Sequence, residues 1–261
     1  MHVSTHPAGT WCWVELGTTD QEAAKRFYGQ LFGWTMDDSP MGTGETYSIL
    51  KRNGLDVGGL YDLRPEDRAR GVPTHWLVYL TVDDVDAATQ KVTALGGRVV
   101  GGPMDVGTSG RMTAVADTEG AMFALWQAKE HAGAEIEGED GAVSWTELAT
   151  HDRTRARTFY GSLFGWSFEE RPAPAIPYVF ARLDDRMVAG IFPLEGAPMQ
   201  NVPAHWMIYF QVARCDERAE WVSAHGGRTV VAPTDVPGWG RFSVLQDPQG
   251  GVFSIVEIQR I

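Results

Sequence analysis

Two pairs of residues that could bind a ligand or move a proton recur along this 261-residue sequence at similar spacing. Glu15 and His75 form the first pair, and Glu147 and His205 form the second. A carboxylate can accept a proton or bind a cation, and a neutral imidazole can bind a metal ion or relay a proton. If each pair meets inside a cleft, each cleft could hold a ligand or an ion.

A structural role for the same residues is also open. Glu15 and Glu147 could bind backbone amides or pair with Arg111 and Arg241, while the histidines could close the end of a strand. The two arginines each follow a glycine, in Gly-Arg-Met and Gly-Arg-Phe, and each opens a predicted strand. Either arginine could instead anchor an anionic ligand, but we favour the ion pair with glutamate.

Aromatic residues are placed where they could line such clefts. Trp13 and Trp145 precede the two glutamates by two residues, so they share a strand face with them. Tyr79 and Tyr209 lie on later strands at equivalent places, and Trp239 lies in a tight loop, PGWGR. These side chains would give a hydrophobic slot for a flat or apolar small molecule, with Trp239 as a lid over the second cleft.

A long repeat indicates how these residues are positioned. Arg26–Trp34 reads RFYGQLFGW, and Thr158–Trp166 reads TFYGSLFGW. Each copy follows a strand that ends in Glu-Leu and an Asp that begins a helix. A repeat of this length and fixed internal spacing indicates a duplicated structural unit.

Within each copy the pattern predicts a strand, a helix and three strands, and this βαβββ pattern then recurs with weaker likeness. The sequence therefore predicts an α+β fold of four βαβββ modules. We place the first domain at residues 1–128, an acidic, glycine-bearing linker at 129–142, and the second domain at 143–261. The Pro-rich stretch Arg171–Pro177 is interpreted as a mobile loop.

Four βαβββ modules, the FYG-x-LFGW repeat and Asp-Pro-x-Gly at Asp247–Gly250 resemble the vicinal oxygen chelate superfamily. That group includes glyoxalase I, bleomycin-resistance proteins and extradiol dioxygenases. The resemblance covers nearly the whole chain and is closest to two-domain glyoxalase-like or hydroxylase-like members of actinobacterial type. It implies two tandem domains, each with an open, barrel-like cleft. It is specific for the fold and weak for the reaction.

In catalytic members of the family, His, Gln and Glu side chains bind a divalent metal in the cleft. The resemblance implies that those ligand positions are occupied here by residues without imidazole or carboxylate groups: Trp13, Leu77, Ala124, Trp145, Met207 and Ser254. Such side chains are poor ligands for divalent ions. We therefore expect no cofactor and no family-type metal site, and a divalent metal would need the shifted Glu and His residues instead.

The composition of the chain limits the kinds of binding partner and the cellular compartment that we expect. The net charge is −12, which argues against nucleic acid or an anionic membrane as partner. No apolar run is long enough to span a bilayer. Two isolated cysteines give no disulfide framework, so we expect a reducing, cytoplasmic location. A small molecule is the expected partner, and a homodimer is open.

Three hypotheses for function follow. The first is a metal-free protein that binds a small, partly aromatic or apolar metabolite. The second is a metal-dependent lyase, isomerase or dioxygenase of the glyoxalase type that uses Glu and His at shifted positions. The third is a hydroxylase or accessory protein in secondary metabolism, suggested by the resemblance alone.

Overall fold

The computed structural model describes residues 1–41, 44–171 and 178–258. The Pro-rich segment interpreted above as a mobile loop lies, after its first residue, outside the described residues. Cys12 and Cys215 are free and buried. Across the described residues, none of the helices combines the length and apolar character needed to cross a membrane.

The first domain contains two βαβββ modules and one additional short helix. Its elements are β1 (Trp11–Thr18), α1 (Gln21–Phe32), β2 (Thr35–Pro40), β3 (Thr46–Arg52), β4 (Leu55–Asp62), α2 (Pro65–Ala69), β5 (His75–Thr81), α3 (Val85–Ala94), β6 (Arg98–Val106), β7 (Gly110–Ala116) and β8 (Met122–Ala128). The short helix α2 joins the two modules and was not predicted.

The second domain repeats the plan. Its elements are β9 (Val143–Thr150), α4 (Arg153–Phe164), β10 (Ser167–Arg171), β11 (Tyr178–Leu183), β12 (Arg186–Pro193), a 3₁₀ turn (Ala197–Met199), β13 (His205–Gln211), α5 (Cys215–Ala224), β14 (Arg228–Val236), β15 (Gly240–Gln246) and β16 (Val252–Ile258). The predicted α+β fold of four modules in two tandem domains is confirmed.

Each domain has one eight-stranded sheet in which two modules join at their first strands. The strand order is β2-β3-β4-β1-β5-β8-β7-β6 in the first sheet and β10-β11-β12-β9-β13-β16-β15-β14 in the second. β1 pairs antiparallel with β5 at the centre, and each of these strands pairs parallel with the last strand of its own module. The first strands of both modules therefore lie side by side in the middle of the sheet.

The repeated helices begin and end at residues that suit those places. Asp20 and Asp152 are the N-caps of α1 and α4, and each side chain accepts a hydrogen bond from a backbone N–H in the first turn. Gly33 and Gly165 end the helices in the left-handed conformation, which glycine adopts without a steric penalty. The repeat thus encodes its own helix boundaries.

Helices α1 and α4 each reach across to the other domain. The Tyr28 hydroxyl of α1 donates to Asp247 Oδ2 at 2.8 Å, and the Tyr160 hydroxyl of α4 donates to Asp117 Oδ2 at 2.9 Å. All four residues are buried. Asp117 before β8 and Asp247 before β16 therefore each bind a helix of the opposite domain. These matching contacts give the chain an approximate twofold arrangement.

The segment predicted as a linker is packed against the first domain. The Ala134 N–H donates to the Cys12 carbonyl at 2.7 Å, and the Glu135 N–H donates to the Asp56 carbonyl at 2.8 Å. Ala134 and Ile136 are buried. Residues 129–142 therefore belong to the folded body as well as connecting the two sheets.

Candidate functional site

The central strands place the predicted site residues on one face of each sheet. In the first sheet Trp13 lies opposite Tyr79, and Glu15 lies opposite Leu77. Residues directly opposite one another in an antiparallel pair point to the same side. We call this side the cleft face. The other side, the helix face, packs against the helices and the other domain.

A carboxylate held by two phenols lies at the centre of the first cleft face. The Tyr79 hydroxyl donates to Glu15 Oε1 at 3.0 Å, and the Tyr47 hydroxyl donates to Glu15 Oε2 at 2.8 Å. The indole N–H of Trp13 in turn donates to the Tyr47 oxygen at 3.0 Å. The result is a chain of hydrogen bonds from indole to phenol to carboxylate.

The second cleft face carries the same arrangement. The Tyr209 hydroxyl donates to Glu147 Oε1 at 2.8 Å, and the Tyr178 hydroxyl donates to Glu147 Oε2 at 2.6 Å. The Trp145 indole N–H donates to the Tyr178 oxygen at 2.9 Å. The structure therefore brings together six predicted residues in two matching groups: Trp13, Glu15, Tyr79, Trp145, Glu147 and Tyr209.

Tyr47 and Tyr178 were not predicted, and two glycines make room for them. Gly59 lies beside Glu15 on β4, and Gly190 lies beside Glu147 on β12. A Cβ atom at either glycine would collide with the neighbouring tyrosine hydroxyl and approach the tryptophan indole. The bare backbone lets each phenol lie across the sheet and reach the carboxylate.

Burial makes both carboxylates stronger bases than an exposed glutamate. It raises the pKa of Glu15 and of Glu147, and the two tyrosine hydrogen bonds on each oppose that rise. Burial also raises the pKa of Tyr178 and Tyr209 well above the usual value, with the nearby carboxylate adding to the effect. Because each phenol already donates its O–H to the carboxylate, each site presents hydrogen-bond acceptors, the carboxylate and phenol oxygens, to a ligand.

We expect the raised pKa of Glu147 to appear in the stability of the protein. Because the folded-state pKa lies above that of the unfolded chain, the folded protein binds more protons between those two values. The free energy of unfolding should therefore fall as pH rises through this window in the wild type, relative to Glu147→Gln. Chemical denaturation from about pH 4 to pH 8 measures the difference.

Glu220→Gln is the matched control, because Glu220 is exposed on α5. It should show the same pH profile as the wild type. A Glu147→Gln profile parallel to that of the wild type across the whole range would contradict the expectation.

The predicted ion pairs between the arginines and the cleft glutamates are wrong. Arg111 forms two hydrogen bonds with Asp86 on α3, both 2.9 Å, and Arg241 pairs with Asp216 on α5 at 2.7 and 2.9 Å. The neighbouring Met112 contacts the Tyr79 hydroxyl on the cleft face. Because strand side chains alternate, the arginines point to the helix face and do not line the clefts.

The two histidines stand apart from the carboxylates. His75 Nδ1 lies 2.9 Å from the Pro73 carbonyl, and His205 Nδ1 lies 2.8 Å from the Pro203 carbonyl. Each begins its strand, where the imidazole holds the preceding turn. The hypothesised Glu–His contact does not form, since tyrosines occupy both oxygens of Glu15 and Glu147.

The first cleft is covered by the segment that follows β8. The His131 ring packs edge-on against Trp13 at a centroid distance of 4.7 Å and against Trp126 at 6.2 Å. The Trp126 indole N–H donates to the His131 carbonyl at 3.1 Å. Trp13 is consequently only 4% exposed, whereas Glu15 and Tyr47 beside it remain partly exposed.

The second cleft exposes more of its aromatic wall, while its carboxylate, Glu147, is buried. Trp145 and Tyr209 are partly exposed, unlike Trp13 and Tyr79 in the first domain. Phe180 stacks on Trp239 at 5.3 Å with 21° between the rings, and Trp239 is 43% exposed. The predicted position of Trp239 at the mouth of this cleft agrees with that contact.

The donor atoms of the clefts do not fit the metal site that the family implies. Trp13, Tyr79 and Ala124 lie in register across three strands, and none offers an imidazole or a carboxylate. A stable site needs about three or four such ligands. Within residues 1–41, 44–171 and 178–258, no group of three or more His, Cys, Asp or Glu side chains is arranged to hold a metal.

Comparison with known proteins gives relatives over almost the whole chain. CFP32 of Mycobacterium tuberculosis (strain CDC 1551 / Oshkosh), whose name marks it as a provisional glyoxylase, is 40% identical over 256 residues, covering 97% of each chain. The anthracycline biosynthesis protein DnrV of Streptomyces peucetius is 35% identical over 263 residues. That match covers 96% of this chain and 94% of DnrV.

Solved structures share the fold at low sequence identity. The Mn(II)-bound glyoxalase from Novosphingobium aromaticivorans superposes with a TM-score of 0.64 at 18% identity, covering 96% of this chain and 82% of that one. The family described as the Glyoxalase/Bleomycin resistance protein/Dioxygenase superfamily matches residues 12–125 and again residues 142–255. With its duplicated modules, paired cleft faces and these matches, the chain belongs to the Glyoxalase/Bleomycin resistance protein/Dioxygenase superfamily.

Proposed function

We propose that this protein binds a small, largely apolar aromatic metabolite in the cleft of its second domain, without a family-type metal. The observation that carries the proposal is the buried Glu147 carboxylate, held by two tyrosine hydroxyls beneath partly exposed aromatic rings. A cleft walled by aromatic side chains with a few convergent polar groups is typical of small-molecule sites. The first cleft, where His131 packs on Trp13, then serves mainly to stabilise the fold.

The chemistry of the site favours a ligand with a hydrogen-bond donor. An ionised carboxylate only accepts hydrogen bonds, so a phenolic hydroxyl or an amine suits Glu147 and a carboxylate ligand does not. Flat rings suit the exposed faces of Trp145 and Trp239, since offset stacking adds about 0.5–1.5 kcal/mol per aromatic pair. The proposed ligand is therefore a planar aromatic molecule bearing hydroxyl or amino groups.

The Streptomyces relatives agree with this chemistry. Two relatives, each 35% identical to this chain, are named anthracycline biosynthesis proteins, and anthracyclines are planar, polycyclic and hydroxylated. We extend that likeness to propose a role in secondary metabolism, as a binding or accessory protein for an aromatic intermediate. An anthracycline is accordingly a suitable first probe.

Quenching of tryptophan fluorescence by an anthracycline tests the proposal. We expect Glu147→Gln to weaken binding about tenfold or more, because a hydrogen bond to a charged group contributes about 1.5–3 kcal/mol. The equivalent change Glu15→Gln is the matched control and should alter affinity less than about twofold. Saturable binding that Glu15→Gln abolishes would place the site in the first cleft, and absence of saturable quenching would contradict binding of this class.

A separate measurement addresses the metal-dependent alternative. A ligand that binds only the folded protein raises its melting temperature. The anthracycline should raise it, whereas Mn²⁺ or Zn²⁺ added to chelator-treated protein should not. A metal-induced rise that Glu147→Gln removes would favour a metal-dependent lyase, isomerase or dioxygenase instead.

A further inference from the structure

A cavity of about 290 Å³ lies between the two domains, away from both cleft faces. It is formed by α1 of the first domain, α5 of the second, and the turn before β16. Its walls are Ala23, Arg26, Phe27, Gln30, Trp221, His225, Pro248 and Gln249. The volume is at the lower end of small-molecule sites, which suits a ligand with one ring.

Aromatic rings from both domains form the apolar wall of this cavity. Phe27 packs against Trp221 with ring centroids 5.4 Å apart, and the His225 imidazole stacks on the Trp221 indole at 3.9 Å and 14°. His225 Nδ1 lies 2.7 Å from the Trp221 carbonyl, which fixes the ring in place. The wall is therefore flat and held by local contacts.

Two polar groups at the cavity are left without protein partners. Arg26 is exposed, and it makes no ion pair with any residue in the described part of the chain. The Gln249 Oε1 atom is buried and has no hydrogen-bond donor among the same residues. A buried acceptor without a partner costs free energy, and a turn of the Gln249 amide toward the cavity would let a bound donor recover it.

The pseudo-equivalent groove on the other side of the molecule is satisfied internally. There Lys91 replaces Trp221, and its Nζ donates to the Leu163 carbonyl at 3.3 Å. Glu119 replaces Gln249 and accepts hydrogen bonds from the Thr150 hydroxyl and, at 3.2 Å, from the Asp152 N–H. The two grooves have therefore diverged. The polar groups of one have hydrogen-bond partners within the protein, and Arg26 and Gln249 Oε1 in the other do not.

We infer that the groove between α1 and α5 binds a small aromatic carboxylate that carries a ring hydroxyl. The Arg26 guanidinium would bind the carboxylate, Phe27 and Trp221 would contact the ring, and the hydroxyl would donate to Gln249 Oε1. None of the residues that line this cavity is acidic. The two kinds of site thus select opposite charges, because Glu147 disfavours an anion in the cleft.

The probe for this inference is 4-hydroxybenzoate, whose hydroxyl is too far from its own carboxylate to bond to it, measured by isothermal titration calorimetry on the full chain. We expect Arg26→Gln to weaken 4-hydroxybenzoate binding about tenfold or more, since charge-assisted hydrogen bonds are about twice as strong as neutral ones. Benzoate lacks the hydroxyl and should bind more weakly than 4-hydroxybenzoate, and phenol lacks the carboxylate and should bind more weakly still. Arg186→Gln, at the exposed arginine that begins β12, is the matched control and should leave the affinity unchanged.

A second variant tests the location independently of charge. Ala23→Phe should fill the cavity and abolish 4-hydroxybenzoate binding, while an unchanged thermal transition confirms that the variant is folded. The inference fails if wild-type protein gives no saturable 4-hydroxybenzoate heat, or if Arg26→Gln binds 4-hydroxybenzoate as the wild type does. It also fails if Glu147→Gln removes binding and Ala23→Phe does not, because 4-hydroxybenzoate would then occupy the cleft.

Discussion

Replacing Phe210 with alanine should lower the free energy of unfolding by about 3–5 kcal/mol. Phe210 is fully buried on β13, and three of its ring neighbours come from the first domain. Its centroid lies 5.0 Å from Phe32, 5.4 Å from Trp34 and 5.2 Å from Trp76. The cavity left by the ring would separate side chains of both domains, so its loss should weaken their contact as well as the second core.

Urea denaturation of Phe210→Ala measures this change, with Trp239→Ala as the control. Trp239 is 43% exposed, so its removal should cost much less than removal of a buried ring. If the two variants lost equal stability, the packing of Phe210 against the rings of the first domain could not be the main reason that Phe210 stabilises the fold.

A second large loss of stability is expected for Asp247→Ala. Asp247 Oδ1 accepts the N–H groups of Gln249 at 2.9 Å and Gly251 at 2.7 Å, while Oδ2 accepts the Tyr28 hydroxyl at 2.8 Å. Alanine would leave these donors without an acceptor in a buried place. Each such group costs about 1–3 kcal/mol, so we expect a total loss of about 3 kcal/mol or more.

Thermal and chemical unfolding of Asp247→Ala should be compared with Asp152→Ala. Asp152 caps an exposed helix end, where loss of the side chain costs about 1 kcal/mol. Asp247→Asn keeps an oxygen for the turn and should lie between the two. If Asp247→Ala proved no more destabilising than the cap variant, the link between this turn and α1 would not stabilise the domain contact.

Both predictions concern contacts between the two domains. The geometry of the second cleft depends on these contacts through β13. The β13 strand carries Phe210 toward the first domain and Tyr209 toward the cleft. Successive strand residues point to opposite faces, so one strand both fixes the domains and aims the phenol at Glu147. A well-packed helix face therefore keeps the cleft geometry in place.

The two clefts share the same polar centre but differ in the residues that lie over it. Both retain the hydrogen bonds from tryptophan to tyrosine to glutamate. His131 covers one of them, whereas the other has Trp239 at a partly exposed mouth. If the polar centre stabilises both domains and the proposed ligand binds in only one of them, we expect both clefts to keep the centre and to differ in what covers it.

Local sequence patterns were sufficient for several site residues. Alternation placed Trp13 and Glu15 together on one strand face, and Trp145 and Glu147 on its counterpart, because the period of a strand is two. The histidine positions also followed from the pattern, but the direction of each imidazole did not. A proline carbonyl two residues away offered a nearer hydrogen-bond partner than any carboxylate.

Tyr47 and Tyr178 could not be found by the same reasoning. They reach the glutamates from β3 and β11, which are two strands away from the central strands. Both strands have an irregular register against their neighbours, between Leu50 and Lys51 and between Ala181 and Arg182. Such shifts depend on pairing between distant segments, so the side chain that meets the carboxylate is not fixed locally.

The sequence by itself determined the duplication, the four modules and the residues that share a strand face, because these depend on local periodicity. The departure from metal-ligand residue types followed from the family resemblance and the chemistry of single side chains. Only the tertiary structure decided the partners of each carboxylate, the turning of the arginines to the helix face, the cover over the first cleft and the cavity between domains. The first two depend on strand register within a domain, because pairing of separate segments decides which side chains meet. The cover depends on the path of the segment after β8, and the cavity depends on the packing of one domain against the other.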